Sequence, residues 1–573
     1  MPNPISELSR RRLLAVIPSL FPVPALLLAD EQPAASARTA VDQLLDKVIA
    51  NEQLVLKTLS RRTPIVETYL QEDPSSGVQA GDARDHYFLG RMGLLDAVNY
   101  VSFIKRSSPP PAVETKVRSK FLFFKKTSST AGAPESLSFL PEGFAQMAVI
   151  DAKFFDRKTY KFDYVRREFL GEVRCLVFDV SPFTKGQPGK FIGRIWVEDQ
   201  DSFIVRINGT YTRKSDDDLY FHFDSWRVNP EPRTWIPAIT YVEDTVSFSD
   251  SQAQISGTPV RFKAQTRIWS YESPTHNRLE ELTAILIDSN RNVNDANTPK
   301  EISPIEGQRR WEREAEVNVI ERLEKIGLVA PQGEVDQILN TVVSNLIVTN
   351  PIDVDAKCRL LLTTPLETFT IGHTIVISRG LVDVLPDEGT LALVLATELA
   401  HIALAHPTRT EYSFNDRTMV GDEAVLEQFR FSRTPEEVSS ATKKALTMLA
   451  NSPYKDKLAG AGLFLRAMKA ATPRVPRLIQ ATLGNDLTRY LEMPEFSDLL
   501  AKAPKLEEDN LEQVAALPLG SRIRVEPWNN QTFLVKSKPL ALLSAREKMP
   551  FEVAPVTINL SRSVASSGPV ASK

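Results

Sequence analysis

The chain has 573 residues, 42% of them hydrophobic and 25% charged, a globular composition that excludes a wholly disordered or fibrous protein. Its 69 basic and 72 acidic residues leave a net charge of −3, which argues against a dedicated nucleic-acid binder. Two cysteines exclude a disulfide framework and a cysteine-ligated zinc site, and only six histidines are present for other metal chemistry.

The first 37 residues have the pattern of an export signal. Three arginines at positions 10–12 precede an apolar stretch over 13–29, and small residues follow at 35–37. The stretch is too short and too interrupted by proline to predict a membrane span. We therefore expect an exported protein, periplasmic or extracellular, and the twin-arginine route and signal cleavage stay open. No cysteine lies near the cleavage region, so we do not expect a lipoprotein.

Residues 38–150 are interpreted as a helical and irregular lead-in, with helical apolar spacing at 39–60. Over residues 151–275 the hydrophobic period changes to two, which is typical of antiparallel strands. The predicted strands lie at 175–180, 193–199, 202–212, 219–228, 234–245 and 261–272, with a hairpin turn at 199–201. One curved sheet or an open barrel is the natural packing for such a series.

The runs FIGRIWVEDQDSFIVRINGTY and WRVNPEPRTWIPAITYVED, at 191–211 and 226–244, resemble the β half-barrel of periplasmic lipoprotein-carrier proteins. That family binds acyl chains inside the half-barrel. The resemblance therefore implies a cavity for lipid or hydrophobic peptide, with Trp196, Trp226 and Trp235 as contacts. The alternative is that these tryptophans fill the core of the sheet.

Residues 305–475 favour a mainly helical domain with a small sheet. Helical spacing covers 308–326 and 333–348, and buried-strand patterns follow at 358–364 and 374–380. A long helix then begins near residue 388, with Asp387 or Thr390 as candidate N-cap, and runs to Pro407.

Residues 397–401 read T-E-L-A-H and occupy the frame of the zinc-protease motif H-E-x-x-H. In that motif two histidines one turn apart bind one metal, and the glutamate polarises metal-bound water. Thr397 stands at the first histidine position, and a threonine hydroxyl is a poor zinc ligand. On a continued helix His406 would lie roughly 140° from His401, on another face, so we do not expect it to substitute.

The segment TFTIGHTIVISRGLVDVLPDEGTLALVLATELAHIALAH resembles the core of the gluzincin zinc metallopeptidases, the family of HtpX, the CAAX prenyl protease and BepA. FSRTPEEVSS at 431–440 resembles the family's FSR-x-x-E-x-x-A-D, with two serines in place of Ala-Asp. The resemblance covers about 310–470. It implies Glu398 as general base and His401 and Glu436 as metal ligands, with Glu437 competing with Glu436 in a shifted alignment.

The C-terminal part predicts a helical linker at 476–510, a small β unit at 511–561 and a disordered tail at 562–573. Asn529 and Asn530, between two alternating runs, indicate a hairpin, and residues 550–561 suit a further strand. The overall expectation is a multidomain α+β protein: an N-terminal antiparallel β half-barrel, a mainly helical metallopeptidase-like domain and a small C-terminal β unit.

Two protein ligands are too few for a zinc site, which requires at least three. We therefore expect a catalytically impaired or inactive pseudo-peptidase that acts on envelope proteins or peptides in cell-envelope protein quality control. Zinc is the cofactor only if the site is functional, and otherwise there is none. The alternatives are a carrier or sensor of lipid or lipoprotein through the half-barrel, and an active metalloendopeptidase with an atypical metal site. Substrate and oligomeric state are not indicated.

Overall fold

This computed structural model describes residues 34–73, 85–95, 100–104, 124–127, 136–184, 187–212, 221–246, 260–271, 303–417, 421–488, 493–507, 510, 519–520, 522–535 and 551–563. The predicted export signal up to position 33 and the predicted tail from position 564 lie outside these residues. No helix in the described part of the chain is long and apolar enough to cross a membrane.

The α-helices among the described residues are α1 (Ala34–Leu59), α2 (Pro141–Gln146), α3 (Pro304–Ile326), α4 (Glu334–Val348), α5 (Arg379–Val384), α6 (Glu388–Ala403), α7 (Asp422–Gln428), α8 (Pro435–Ala450), α9 (Leu458–Ala471), α10 (Pro476–Ile479) and α11 (Ser497–Lys502). The strands are β1 (Ile65–Asp73), β2 (Asp85–Arg91), β3 (Val101–Ser102), β4 (Phe124–Thr127), β5 (Ser136–Phe139), β6 (Tyr160–Leu170), β7 (Val173–Pro182), β8 (Phe191–Glu198), β9 (Ile204–Tyr211), β10 (Phe223–Glu231), β11 (Thr234–Val246), β12 (Val260–Trp269), β13 (Lys357–Leu361), β14 (Glu367–Ile371), β15 (Thr374–Ser378), β16 (Asn485–Asp486), β17 (Ile523–Val525) and β18 (Thr532–Leu534).

Ten strands form one antiparallel sheet, called here the large sheet, in the order β3-β2-β1-β12-β11-β10-β9-β8-β7-β6. The six predicted strands are confirmed as β7 to β12. The predicted hairpin turn at 199–201 is also confirmed between β8 and β9. The mixed α+β class is therefore correct.

The large sheet also contains four strands that were not predicted. Strands β1 to β3 come from residues assigned to the lead-in, and β1 pairs with β12, so that Ile65 lies opposite Trp269. No local pattern reveals a partner some 200 residues away. Strand β6 was missed because most of its side chains are exposed or half-buried on both faces, which removes the alternation of period two.

One face of the large sheet packs on helix α1. Val55, Leu56 and Leu59 of this helix share a hydrophobic core cluster with Trp226 and Trp235. In the same region Arg227 donates to both carboxylate oxygens of Glu52, at 2.6 and 2.7 Å, with both side chains 1% exposed. Helix and sheet are thus held by apolar contact and by a paired buried charge.

Residues 303–507, called here the helical half, contain a small sheet in the order β13-β15-β14-β16, in which only β13 and β15 are parallel. Its core is continuous with the large sheet, because Ile65, Leu89 and Trp269 belong to the same cluster as Val319 and Leu323. Residues 48–573 accordingly form one compact unit.

A buried ion pair crosses from the large sheet to the helical half. Arg379 Nη2 donates to Glu67 Oε2 at 2.9 Å, and each side chain is 1% exposed. Thr364 adds a backbone and a hydroxyl donor to the same carboxylate at 2.6 and 2.7 Å, and Tyr87 donates at 2.9 Å. Four donors around one carboxylate offset the cost of burying its charge.

The C-terminal residues contact both the large sheet and the helical half. Strands β17 and β18 form the predicted hairpin, with Asn530 in the left-handed conformation at φ 64°. Residues 551–563 are not the predicted strand. They bond to the rest of the chain at scattered points instead of along a ladder: the Gln71 amide bonds Phe551 and Val553, and Leu560 O accepts from Glu172 N.

Replacement of Arg379 by methionine should destabilise the protein by about 3–5 kcal/mol, because Glu67 would keep a buried charge without its cation. The measurement is the shift of the urea unfolding midpoint. The control is Arg194→Met, since Arg194 pairs with Asp179 at a site where the two side chains are 35% and 49% exposed. That change should cost less than about 1 kcal/mol. Equal effects of the two substitutions would contradict a dominant role for the buried pair.

Candidate active site

Helix α6 carries the motif residues and is almost wholly buried. Asp387 is its N-cap, as one of the two predicted candidates, and its Oδ1 accepts from Thr390 N at 2.7 Å. The helix packs against α4, α8 and α9 and against strands β14 and β15. It therefore lies in the centre of the helical half, with no polar face toward solvent.

Helix α6 ends at Ala403, earlier than the predicted end at Pro407. His406 N donates to His401 O at 3.1 Å and Ala405 N to Ile402 O at 2.9 Å, which is the Schellman pattern of helix termination. Ala405 supplies the left-handed residue, with φ 51°. The chain turns back here, so the predicted angular separation of the two histidines is wrong. His406 Nδ1 lies 2.7 Å from His401 Nδ1.

The predicted general base, Glu398, is completely buried. Its Oε1 accepts from Asn485 Nδ2 at 3.1 Å, and its Oε2 has no hydrogen-bond partner among the described residues. Burial raises the pKa of Glu398 to about 7, against the opposing effects of Asn485, the Arg433 cation and the Thr370 hydroxyl. Glu398 is thus partly protonated near neutral pH and does not reach solvent.

The predicted metal ligand, His401, is also completely buried. Burial, the Arg433 cation and His406 together lower its pKa to about 3, so the imidazole is neutral at physiological pH. Its Nδ1 is hydrogen-bonded to His406, while its Nε2 has no partner in the part of the chain that the structure describes. A neutral imidazole nitrogen without a partner is one suitable metal donor.

The other predicted ligand positions do not complete a zinc site. Thr397 Oγ1 donates to Leu393 O at 3.0 Å, and Glu436 is solvent-exposed in the first turn of α8. Across the described ranges, no three His, Cys, Asp or Glu side chains are placed to hold a metal ion. The Arg433 cation that lowers the pKa of His401 would also oppose a dication. The donor set therefore does not fit a three-ligand zinc centre.

Two residues outside the T-E-L-A-H motif organise the site. Arg433 N donates to Asn485 Oδ1 at 2.9 Å, and Arg433 Nη2 donates to Thr370 Oγ1 at 3.0 Å. Asn485 in turn holds Glu398, so one hydrogen-bonded chain joins α6, the start of α8 and β16. Arg433 stood in the FSR motif without an assigned role. Asn485 had no signal in the sequence, because tertiary folding alone brings it to Glu398.

A second histidine, His406, belongs to the site, although the expected helix geometry placed it on another face. Its Nε2 lies 3.3 Å from Ser440 Oγ, at one of the serines that replace Ala-Asp. Glu437, the competing candidate ligand, forms a capping box with Thr434 and lies near enough to His406 to oppose the lowering of its pKa by burial. The structure thus places His401, His406 and Ser440 in one hydrogen-bonded series.

The three tryptophans assigned to a hydrophobic ligand contact the protein's own residues. Trp226 and Trp235 are buried in the cluster with helix α1. The guanidinium of Arg206 lies 4.4 Å from the ring centres of both Trp196 and Trp226. Arg206 also bonds Asp224 at 2.7 and 2.9 Å, which makes the adjoining groove polar. A ligand role for these tryptophans stays a prediction.

No protein-family model matches the chain, and no curated protein matches it.

Replacement of Glu398 by glutamine should stabilise the protein at alkaline pH. The folded pKa of this carboxyl is about 7, whereas its ordinary value is 4.5. Such a group contributes stability below the unfolded pKa, and that stability is lost as the pH rises through the folded pKa. Glutamine does not ionise. The gain in unfolding free energy over wild type should therefore grow to about 3 kcal/mol near pH 9 and be small near pH 5.

The measurement is the urea midpoint of both proteins across this pH range. Glu436→Gln is the matched control, because it makes the same substitution at a solvent-exposed position and leaves the buried carboxyl in place. A gain for Glu398→Gln that does not change with pH would show that Glu398 is ionised without cost in the folded protein.

Proposed function

We propose that this protein is an exported pseudo-peptidase, which binds unfolded cell-envelope polypeptides through a gluzincin-like scaffold and does not cleave them. The observation that carries the proposal is the complete burial of Glu398 and His401 beside the Arg433 cation. A catalytic carboxylate must reach the water or substrate that it activates. Here the carboxyl is enclosed, and its hydrogen-bond donor is the equally buried Asn485.

The resemblance to the peptidase family rests on motif positions in the sequence. Helix α6 keeps the glutamate and the second histidine of the frame, while Thr397 uses its hydroxyl within its own helix. The resemblance to envelope chaperone-proteases and the signal-like residues 1–37 support the envelope assignment. A loss of the metal with retention of the scaffold is consistent with a binding function.

The edge of the large sheet supports polypeptide binding. Strand β6 is the last strand in the sheet, and among the described strands it pairs with β7 alone. Its exposed side chains include Tyr164 at 53% and Phe169 at 67% exposure. An unpaired strand edge with exposed aromatic residues can add an extended peptide as a further strand. We assign this edge as the binding site for unfolded segments.

The metal arm of the proposal is tested on the purified protein. Wild type should contain far less than one zinc per chain and should not cleave casein, because it lacks a third ligand. Metal content and casein cleavage should both be measured for wild type, Thr397→His and His401→Ala. Stoichiometric zinc in wild type that is lost in His401→Ala would overturn the pseudo-peptidase assignment and favour an active enzyme with an atypical site.

The binding arm is tested by aggregation of a urea-unfolded outer-membrane β-barrel protein on dilution. Equimolar wild-type protein should suppress light scattering, and the double substitution Tyr164→Ser, Phe169→Ser should lose most of that effect. The matched control is Trp311→Ser, since Trp311 is 52% exposed on helix α3. Equal suppression by all three proteins would exclude the β6 edge, and no suppression by wild type would exclude the binding function.

A further inference from the structure

A cavity of about 190 Å³ lies where the large sheet meets the helical half. Leu89 and Phe103 line it from the sheet side, and Leu328, Leu426 and Leu483 line it from the helical half. All five side chains are buried. Helix α6 is not part of this wall, so the cavity is separate from the Glu398 site.

A second cavity of about 320 Å³ adjoins the first, and the two share Arg430, Thr482 and Leu483 as lining residues. Polar groups line this outer part, and Arg430 is the one charged residue among them. Arg430 is exposed, and its Nη1 donates to Phe429 O at 2.6 Å. No carboxylate among the described residues forms an ion pair with it. The outer cavity therefore offers a cation to an anionic group.

The inner cavity holds one unused polar atom. Thr363 lines it, is 3% exposed, and its Oγ1 has no hydrogen-bond partner among the described residues. Buried polar atoms are nearly always bonded, so this hydroxyl calls for a water molecule beside any apolar occupant of the cavity. Glu367 also lines the cavity, but its Oε2 accepts three backbone N–H groups of residues 482–484, at 2.7 to 3.1 Å. Burial raises the pKa of Glu367, and these three donors oppose that rise without cancelling it.

We propose that this pair of cavities binds an anionic amphiphile, with its alkyl chain in the inner cavity and its head group on Arg430. A dry apolar cavity of about 150 Å³ holds one benzene molecule, so the inner cavity suits a chain of roughly six to eight carbons. Hydrogen bonds from a guanidinium to a carboxylate or phosphate are charge-assisted and would fix the head group. Glu427, which also lines the inner cavity, is exposed and already has a partner.

This site does not depend on the proposed polypeptide-binding function. It is built by both halves of the fold, so a bound ligand would contact the large sheet and the helical half at once. Ligand binding to the folded state alone would also raise its resistance to unfolding by mass action.

The test is isothermal titration calorimetry with the full chain. Octanoate and octyl phosphate represent the two sources of this chemistry, a free fatty acid and a phosphorylated lipid. One of them should bind at one molecule per chain, and the tighter one identifies the source. Octylamine and octanol should bind at least about tenfold more weakly, since neither offers an anion to Arg430.

Two pairs of substitutions assign the site. Arg430→Gln should weaken anion binding about tenfold or more, while Arg166→Gln, at an exposed arginine paired with Glu168, should not change it. Ile104→Trp should fill the inner cavity and abolish binding, while Ile305→Trp, at a residue 65% exposed on helix α3, should not. Equal affinity for octanol and octanoate, or undiminished binding in Ile104→Trp, would overturn the proposal.

Discussion

The pair of Glu67 and Arg379 is the contact on which the two parts of the protein depend. Glu67 lies on β1 in the large sheet, and Arg379 opens α5, directly after β15 of the small sheet. Arg379 also lies 3.6 Å from Asp383, which accepts the backbone N–H groups of Arg522 and Ile523. Three parts of the chain meet at one set of buried charges. Any arrangement that separates them leaves an ion in a low-dielectric interior.

Helix α6 follows α5 within a few residues, so this junction also sets where Glu398 and His401 lie. A catalytic glutamate on such a helix would have to reach water or substrate. Here the same helix lies in the centre of the helical half, and Asn485 and Arg433 cover its glutamate. The T-E-L-A-H residues are present, while Glu398 and His401 are buried and no third metal ligand stands beside them among the described residues. The motif residues can thus be present without an accessible site, so a motif alone does not establish an activity.

Much of the secondary structure was readable from the sequence, since alternation of period two marks β7 to β12 and helical spacing marks α1, α3, α4 and α6. The rest depends on contacts that no local pattern encodes. Strand β1 pairs with β12, which is some 200 residues later in the chain. Helix α6 ends early because Ala405 adopts a left-handed conformation that favours glycine. Of the site, Glu398 and His401 were predictable, whereas His406 and Asn485 reach it only through folding.

The contacts of residues 551–563 have a consequence for the order of folding. Gln71 on β1 accepts a hydrogen bond from Val553, which is 482 residues later in the chain. The turn after β6 donates a hydrogen bond to the carbonyl of Leu560. Contacts of such separation form late, because the loop between them must first be closed at a cost in entropy. During most of synthesis, β1 and the turn after β6 therefore lack their contacts with residues 551–563. A chain built in this way can complete its core only after nearly all of it has been synthesised.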